Sequence, residues 1–474
     1  MQDNSVAAFW LPSALARDAP KYLAIAQALS ADIKAGRLAP GTQLPPQRQL
    51  AKALGVDLTT VTRAFNEIRR EGLVEGNTKR GTFVSAPRAP RHEPPARYEP
   101  PGPDASPLID LSMNMPPQPA DALLREAIRD GIGTVLASPH ALLQLHYQDN
   151  AGAPADRAAG ALFLEPRLGL VDLNRLVVTS GSQAALFAVV STLMAPGAVL
   201  AAPTVTYPGL RSVAARCGVR LVPVAADEDG LIPDEFERLC RIVPPAALYC
   251  VPTLDNPTTA TLPRERREAL AAIVRRYDVA LIEDDAYGAL PEAAPAPIAA
   301  IAPERTWHIA TLSKCATPAL RLAYVMAPSL AGALQVTAQT RVTNLMAPPL
   351  MAGLASIWIK DGTMARLTAS IRRENRARQA IAAEALRGFS FRADPNAHHL
   401  WLSLPRAWAE ADFSADARKA GLAIVGSEAF AVAAPPPALR ISLGAAPSQE
   451  ALRQGLNTLA AILSVPPRGV PAIV

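Results

Sequence analysis

The sequence predicts a multidomain protein: a small α/β winged helix-turn-helix head, a proline-rich linker, and a large α/β body built on a mainly parallel sheet with helices on both faces. Three observations predict it. Residues 1–90 hold twelve Lys and Arg against seven Asp and Glu, an excess of five that equals the formal charge of the whole 474-residue chain. A basic head on a neutral body suggests a polyanionic partner for the head alone. Residues 86–107, "APRAPRHEPPARYEPPGPDASP", carry eight prolines in 22 positions, a composition that suits a semi-rigid spacer and neither helix nor central strand. Beyond the spacer, apolar strand-like runs alternate with helical ones, the pattern of a parallel sheet. The expected boundaries are therefore a head over 1–85, a linker over 86–107 and a body over 108–474.

At this length, with half of its residues hydrophobic, the chain can bury a large core and carry a second module. Cys217, Cys240, Cys250 and Cys315 show no CxxC spacing, which argues against a disulfide framework or zinc site and for a reducing, cytoplasmic setting. The N-terminal run opens with an acid, so it does not read as a signal peptide. Residues 176–210 contain no charge, but "SGSQ", "APG" and "PTVTYPG" interrupt them, leaving an apolar helix over 184–195 that is too short to span a bilayer. A soluble protein is expected.

In the head, Tyr22, Ile25, Ala26, Leu29 and Ile33 recur at helical spacing and stop at Gly36. A short helix starts near Pro46, and Gly55 leads through a tight turn to Asp57, the expected N-cap of a third helix that buries Val61, Ala64, Phe65 and Ile68. Its exposed start carries Thr59, Thr60 and Arg63, side chains suited to a major groove. "LVEGNTKRGTFVS" reads as a hairpin with Lys79 and Arg80 at its tip, a basic wing able to touch phosphate.

In the body, polar residues cluster just after each apolar run, where ligands of such sheets lie. After "RLVVT" come Ser180, Gly181, Ser182 and Gln183, small groups at a strand-to-helix turn that suit an anion. After "VALIE" come Asp284, which needs a cationic partner, and Tyr287. Asn256 before Pro257 offers an amide, expected in an extended conformation, and Tyr207 offers a flat ring face. Lys314 ends the run "WHIATL" in a chain that holds only three lysines after residue 90. A desolvated lysine is a good nucleophile toward aldehydes. A phosphate cradle, an acid for a ring nitrogen, donors for a ring oxygen, an aromatic platform and a lone lysine together match pyridoxal 5'-phosphate held as a Schiff base.

Two resemblances carry these readings further. "GRLAPGTQLPPQRQLAKALGVDLTTVTRAF…EGLV…KRGTFV" resembles the GntR-type winged helix, which implies DNA contact by Arg48, the start of the third helix and Gly81. Pro46 and Leu58 depart from the usual serine and arginine of that pattern, so the operator sequence does not transfer. "TLSKCATPALRLAY" is similar to the "SxSKxxxPxLRxGY" of fold-type I, class I/II aminotransferases, and head and body together resemble the MocR subfamily of GntR regulators. The resemblance implies a small C-terminal α+β domain, a Schiff base at Lys314, and Asp284 on the pyridine nitrogen. It implies Tyr287 and Asn256 on the ring oxygen, Tyr207 stacking on the ring, and Ser180, Gly181, Ser182, Gln183, Ser313 and Arg321 among the remaining cofactor contacts. "HYQDNAG" places Tyr147 at the phosphate of a partner subunit and so implies a homodimer; "ALRISLG" places Arg440 on a substrate carboxylate. Departures are Ala319 and Ala323, where glycines are usual, and "NAHHLWL", whose His398 and His399 are expected to line or pack the pocket without binding metal.

Two functions fit. One is a transcription regulator that binds double-stranded operator DNA and senses a small amino compound through its body. The alternative is an aminotransferase, with Lys314 as general base and Asp284 and Tyr287 beside it, that carries an accessory DNA-binding head. The basic winged head favours the regulator.

Overall fold

The structure is a computed structural model that describes residues 10–12, 20–39, 41–70, 73–77, 81–85, 108–138 and 145–465. The expected linker over 86–107 and the wing-tip residues Lys79 and Arg80 lie outside the described residues. The chain divides into two compact units, Met1–Gly102 and Pro103–Val474.

In the first unit, helices Lys21–Lys34, Gln47–Leu54 and Leu58–Arg70 pack around Ile25, Leu29, Leu50, Val61, Phe65 and Ile68, all fully buried. Gly36 and Gly55 take positive φ at the ends of the first two helices, where a side chain would be strained. Asp57 caps the third helix: its Oδ1 accepts from the Thr59 backbone N–H at 2.8 Å and the Thr59 hydroxyl at 2.6 Å. Strands Val74–Asn77 and Gly81–Val84 pair antiparallel, and Leu44 N–H donates to the Thr82 carbonyl at 2.8 Å, stitching the approach to the second helix onto the hairpin.

The second unit is organised by a seven-stranded sheet in the order Leu176–Thr179, Ala323–Met326, Thr306–Thr311, Ala280–Asp284, Ala247–Cys250, Val199–Pro203 and Arg220–Val224. Ala323–Met326 runs antiparallel to both neighbours, and the other strand pairs are parallel. Each of the apolar runs read from the sequence is one of these strands. Thr306–Thr311 and Ala247–Cys250 are buried along their whole length, as expected where helices cover both faces. The charge-free stretch forms strand Leu176–Thr179, helix Ser182–Leu193 and strand Val199–Pro203. Among the described residues no helix is long and apolar enough to cross a membrane.

The 23-residue helix Thr363–Ala385 leads to a four-stranded antiparallel sheet whose inner strands are His399–Ser403 and Ala438–Ser442. The start of the body joins this part: Ile109–Asp110 pairs with Leu422–Ala423, and the Ser442 hydroxyl donates to the Met113 carbonyl at 2.6 Å. Those bonds carry the following residues, 113–116, to the carboxyl edge of the large sheet. Close packing recurs where helix meets sheet. A Cβ added at Gly160 would lie 2.5 Å from Tyr324 Cε1, so Gly160→Ala should lower stability by about 1–3 kcal/mol, measured by chemical denaturation.

Candidate functional site

Five of the parallel strands end around one cavity of about 300 Å³, the position at which open α/β sheets bind ligands. Ser182, Gln183, Tyr207, Asn256, Asp284, Tyr287, Ser313, Lys314 and Arg321 all line it. They come from sequence positions more than a hundred residues apart and meet because each follows a strand of the same sheet.

Asp284 ends the strand Ala280–Asp284 and is buried. Its Oδ2 accepts from the Tyr249 hydroxyl at 2.8 Å, while its Oδ1 is buried without a partner. Burial pushes its pKa up to about 6; Asp285 adds to the rise, and Tyr249, His308 and Lys314 oppose it. A buried carboxylate oxygen with no donor is costly, and a protonated heteroaromatic nitrogen would satisfy it. Tyr249 was not read from the sequence, yet it left a signal: a tyrosine in a fully buried strand requires an acceptor for its hydroxyl.

Lys314 follows strand Thr306–Thr311 and is half-buried, with Nζ donating to the Asn114 carbonyl. Burial, reinforced by Arg440 and opposed by Asp284, pushes its pKa down to about 8. Its Nζ lies 5.8 Å from the centre of the Tyr287 ring. The Tyr287 hydroxyl accepts from Asn114 Nδ2 at 2.8 Å, and burial raises its pKa well above the usual value.

At the other end of the cavity, Gly181 takes φ +95° just before helix Ser182–Leu193, and a Cβ there would lie 3.3 Å from Arg321 Nη2. Glycine thus lets an exposed guanidinium close on a helix start with free backbone N–H groups, a cradle for an anion. Two side chains of the expected cradle are otherwise engaged. The Ser180 hydroxyl donates to the Met346 carbonyl at 3.1 Å, and Gln183 bridges the Tyr207 hydroxyl at 3.1 Å and the Gly209 carbonyl at 3.3 Å. Anion contacts there fall to backbone N–H groups, Ser182 and Arg321. The donor set as a whole fits pyridoxal phosphate.

The Asn256–Pro257 bond is cis, an isomer that the sequence reading leaves unspecified. Asn256 Oδ1 accepts from Arg440 Nη1 at 3.0 Å, which leaves the Asn256 amide N–H groups for another partner. Arg440 itself is buried beneath Asn256, donates to the Ser112 carbonyl, stacks 4.9 Å from the Phe430 ring centre and keeps Nε buried without a partner. Tyr147 is not brought into the cavity; it is 82% exposed. His398 Nε2 bonds the Lys314 carbonyl at 2.8 Å, and His399 Nε2 bonds the Asp255 carbonyl at 3.0 Å. Among the described residues no cluster could hold a metal ion. Asn114, on the Met113–Pro116 segment, was missed because "MNMPP" has no periodicity or spacing that marks it.

In the head, Arg48, Thr59, Arg63 and Gly81 are exposed and Thr60 is half-buried. The Arg63 guanidinium stacks 4.4 Å over the Tyr22 ring, which presents it on the surface. Gly81 has φ +105°, and a Cβ there would meet Gln43 Nε2 at 2.9 Å.

A winged head and a body with this strand-end cavity define a regulator whose second unit has the aminotransferase fold. Residues 106–459 match the family described as aminotransferase class I and II, and residues 21–84 match bacterial regulatory proteins, gntR family. The chain belongs to the class I and II aminotransferase family and, through its gntR-type head, to the MocR subfamily of GntR-type regulators. It is 29% identical over 465 residues to the HTH-type transcriptional regulator YdeF of Bacillus subtilis, covering 96% of each chain. It is 30% identical to the HTH-type transcriptional regulator TauR of Rhodobacter capsulatus, over 73% of this chain and 76% of that one. The crystal structure of an archaeal alanine:glyoxylate aminotransferase superposes with a TM-score of 0.70 at 23% identity, over 76% of this chain and 91% of that one, which shows the shared fold.

With its pKa near 8, Lys314 carries roughly three-hundredfold more neutral amine at pH 7 than an ordinary lysine. The rate at which the cofactor-free protein captures pyridoxal phosphate, followed by absorbance, should therefore rise with pH and level off above about 8. A rise continuing toward pH 10 would show an unperturbed amine.

Proposed function

We propose that this DNA-binding transcription regulator holds pyridoxal phosphate at Lys314 and uses it to sense a small amino compound. The observation that carries the reading is that one cavity holds both the half-buried Lys314 amine and the Asp284 carboxylate whose second oxygen lacks a donor. When bound, the cofactor supplies an aldehyde carbon that exchanges one amine for another.

The chain's own residues would do the rest. Asp284 would hold the proton of the ring nitrogen, and Tyr287 and Asn256 would face the ring oxygen. Tyr207 would cover the ring, while Ser182, Arg321 and the helix start would hold the phosphate. Arg440, whose Nε has no partner, would take a carboxylate of the amino compound. Exposed Tyr147 would serve a second copy of the chain, so a homodimer is part of the proposal. In the head, Arg48, Thr59, Thr60, Arg63 and Gly81 would meet duplex DNA, with Lys79 and Arg80 of the wing on phosphate. For switching, the amino compound must bind the DNA-competent and incompetent states unequally.

The test is a titration of the purified protein with amino acids and amines, following its visible spectrum, keto-acid release and affinity for operator DNA together. Spectral change with altered DNA affinity and no turnover is the expected result; sustained keto-acid release would make the body a working aminotransferase. Lys314→Ala should lose every borohydride-fixable linkage, read by mass spectrometry. Arg63→Ala should weaken DNA binding and reduce the log–log salt slope by about 1; an unchanged slope in anisotropy titrations would remove it from the interface.

A further inference from the structure

His399 and Asn114 form a hydrogen-bonded chain behind Tyr287 in which each bonded donor and acceptor can be assigned, while the Asn114 Oδ1 is buried without a partner. His399 Nε2 lies 3.0 Å from the Asp255 carbonyl oxygen, which only accepts, so Nε2 carries the proton. The ring is fully buried, and burial, with Arg440 next, holds its pKa well below the usual histidine range. It is neutral, and Nδ1 is left as a bare acceptor. Asn114 lies 3.2 Å from that Nδ1 and 2.8 Å from the Tyr287 hydroxyl oxygen, through the same side-chain atom. Facing a bare nitrogen, that atom must be the amide nitrogen, and its second N–H then points at Tyr287. The Tyr287 oxygen therefore accepts from Asn114, and its own proton turns away from Asn114.

We propose that Asn114, its amide locked by His399, is a positioning residue that directs the Tyr287 hydroxyl proton into the cavity, toward the ring oxygen of bound pyridoxal phosphate. The inference rests on the cofactor reading above. The segment that carries Asn114 is itself fixed: the Ser442 hydroxyl donates to the Met113 carbonyl at 2.6 Å. The chain Asp255–His399–Asn114–Tyr287 thus connects the loop holding Asn256, the C-terminal sheet and the cavity wall. A donor held on the ring oxygen favours the anionic form of that oxygen, so the cofactor chromophore sheds its titratable proton at lower pH.

The experiment is the pH titration of the visible band of the full-length, cofactor-loaded protein. Asn114→Asp replaces the donating amide with an acceptor, which draws the Tyr287 proton back, and should raise the titration midpoint by roughly one pH unit. Asn114→Leu and His399→Phe should raise it less. Tyr287 also faces Lys314, Asp284, Tyr207, Asp255, Arg440 and His398, and none of these changes in the variants. In a Tyr287→Phe background, Asn114→Asp should add nothing further, since it acts through the phenol; additive shifts would mean a general structural effect and overturn the proposal. An unchanged midpoint in Asn114→Asp overturns it as well. Should that variant fail to fold by circular dichroism, an unshifted His399→Phe midpoint has the same consequence. A wild-type protein that never develops a visible band with pyridoxal phosphate would sink the cofactor reading first, and this inference with it.

Discussion

The cavity depends on an acid placed where water cannot reach it. Asp284 stands at the end of a strand buried on both faces, with one oxygen bonded to Tyr249 and the other bare. Such a group is expensive in isolation, and the structure tolerates it only by supplying partial compensation: a tyrosine donor and the more distant Lys314. The electrostatics of Lys314 respond to the same burial. Lys314 loses much of its preference for the charged form, with Arg440 pushing in the same direction. A proton-hungry acid and an amine prepared to give up its proton are the two halves of one desolvated space.

The surrounding framework shows how such a space is kept open. Arg267, fully buried, ties the Pro252 and Leu262 carbonyls together and so frames the loop that presents Asn256. Arg440 locks Asn256 from below. On the far side of the strand, Glu283 accepts from the backbone N–H groups of Ile298 and Ala299 and bonds His308, and Asp285 is paired with Arg167 at 2.8 Å. Polar groups that contact no ligand thereby hold the cavity's walls at fixed separation, since moving any of them would strand a buried donor or acceptor.

Much of this was legible in the sequence. The strand runs were marked by composition, and their polar successors by position, because a parallel sheet collects its strand ends on one side. The helices of the head were marked by spacing: Val61, Ala64, Phe65 and Ile68 are fully buried as their periodicity requires. What periodicity cannot encode is which donor meets which acceptor. The engagement of Gln183 with Tyr207, the capture of Arg440 by Asn256 and Ser112, and the place of Asn114 all come from chain segments meeting across the fold. Asn114 in particular lies in irregular backbone, where no repeat distinguishes a functional amide from a solvated one. The cis bond before Pro257 is likewise a tertiary outcome that the dipeptide permits without specifying.

Glu283, Asp284 and Asp285 are three consecutive acids with three separate duties: one faces a helix start, one the cavity, one an arginine. Their side chains are nearly interchangeable in chemistry and differ only in where the backbone aims them. Losing or gaining a single residue in the short turn between Arg276 and Ala280 would rotate each acid into its neighbour's duty. Composition would be almost untouched, yet the cavity-facing carboxylate would be turned to the opposite side of the sheet. Among descendants of this gene, length in that turn should be held more tightly than the identity of the residues that form it.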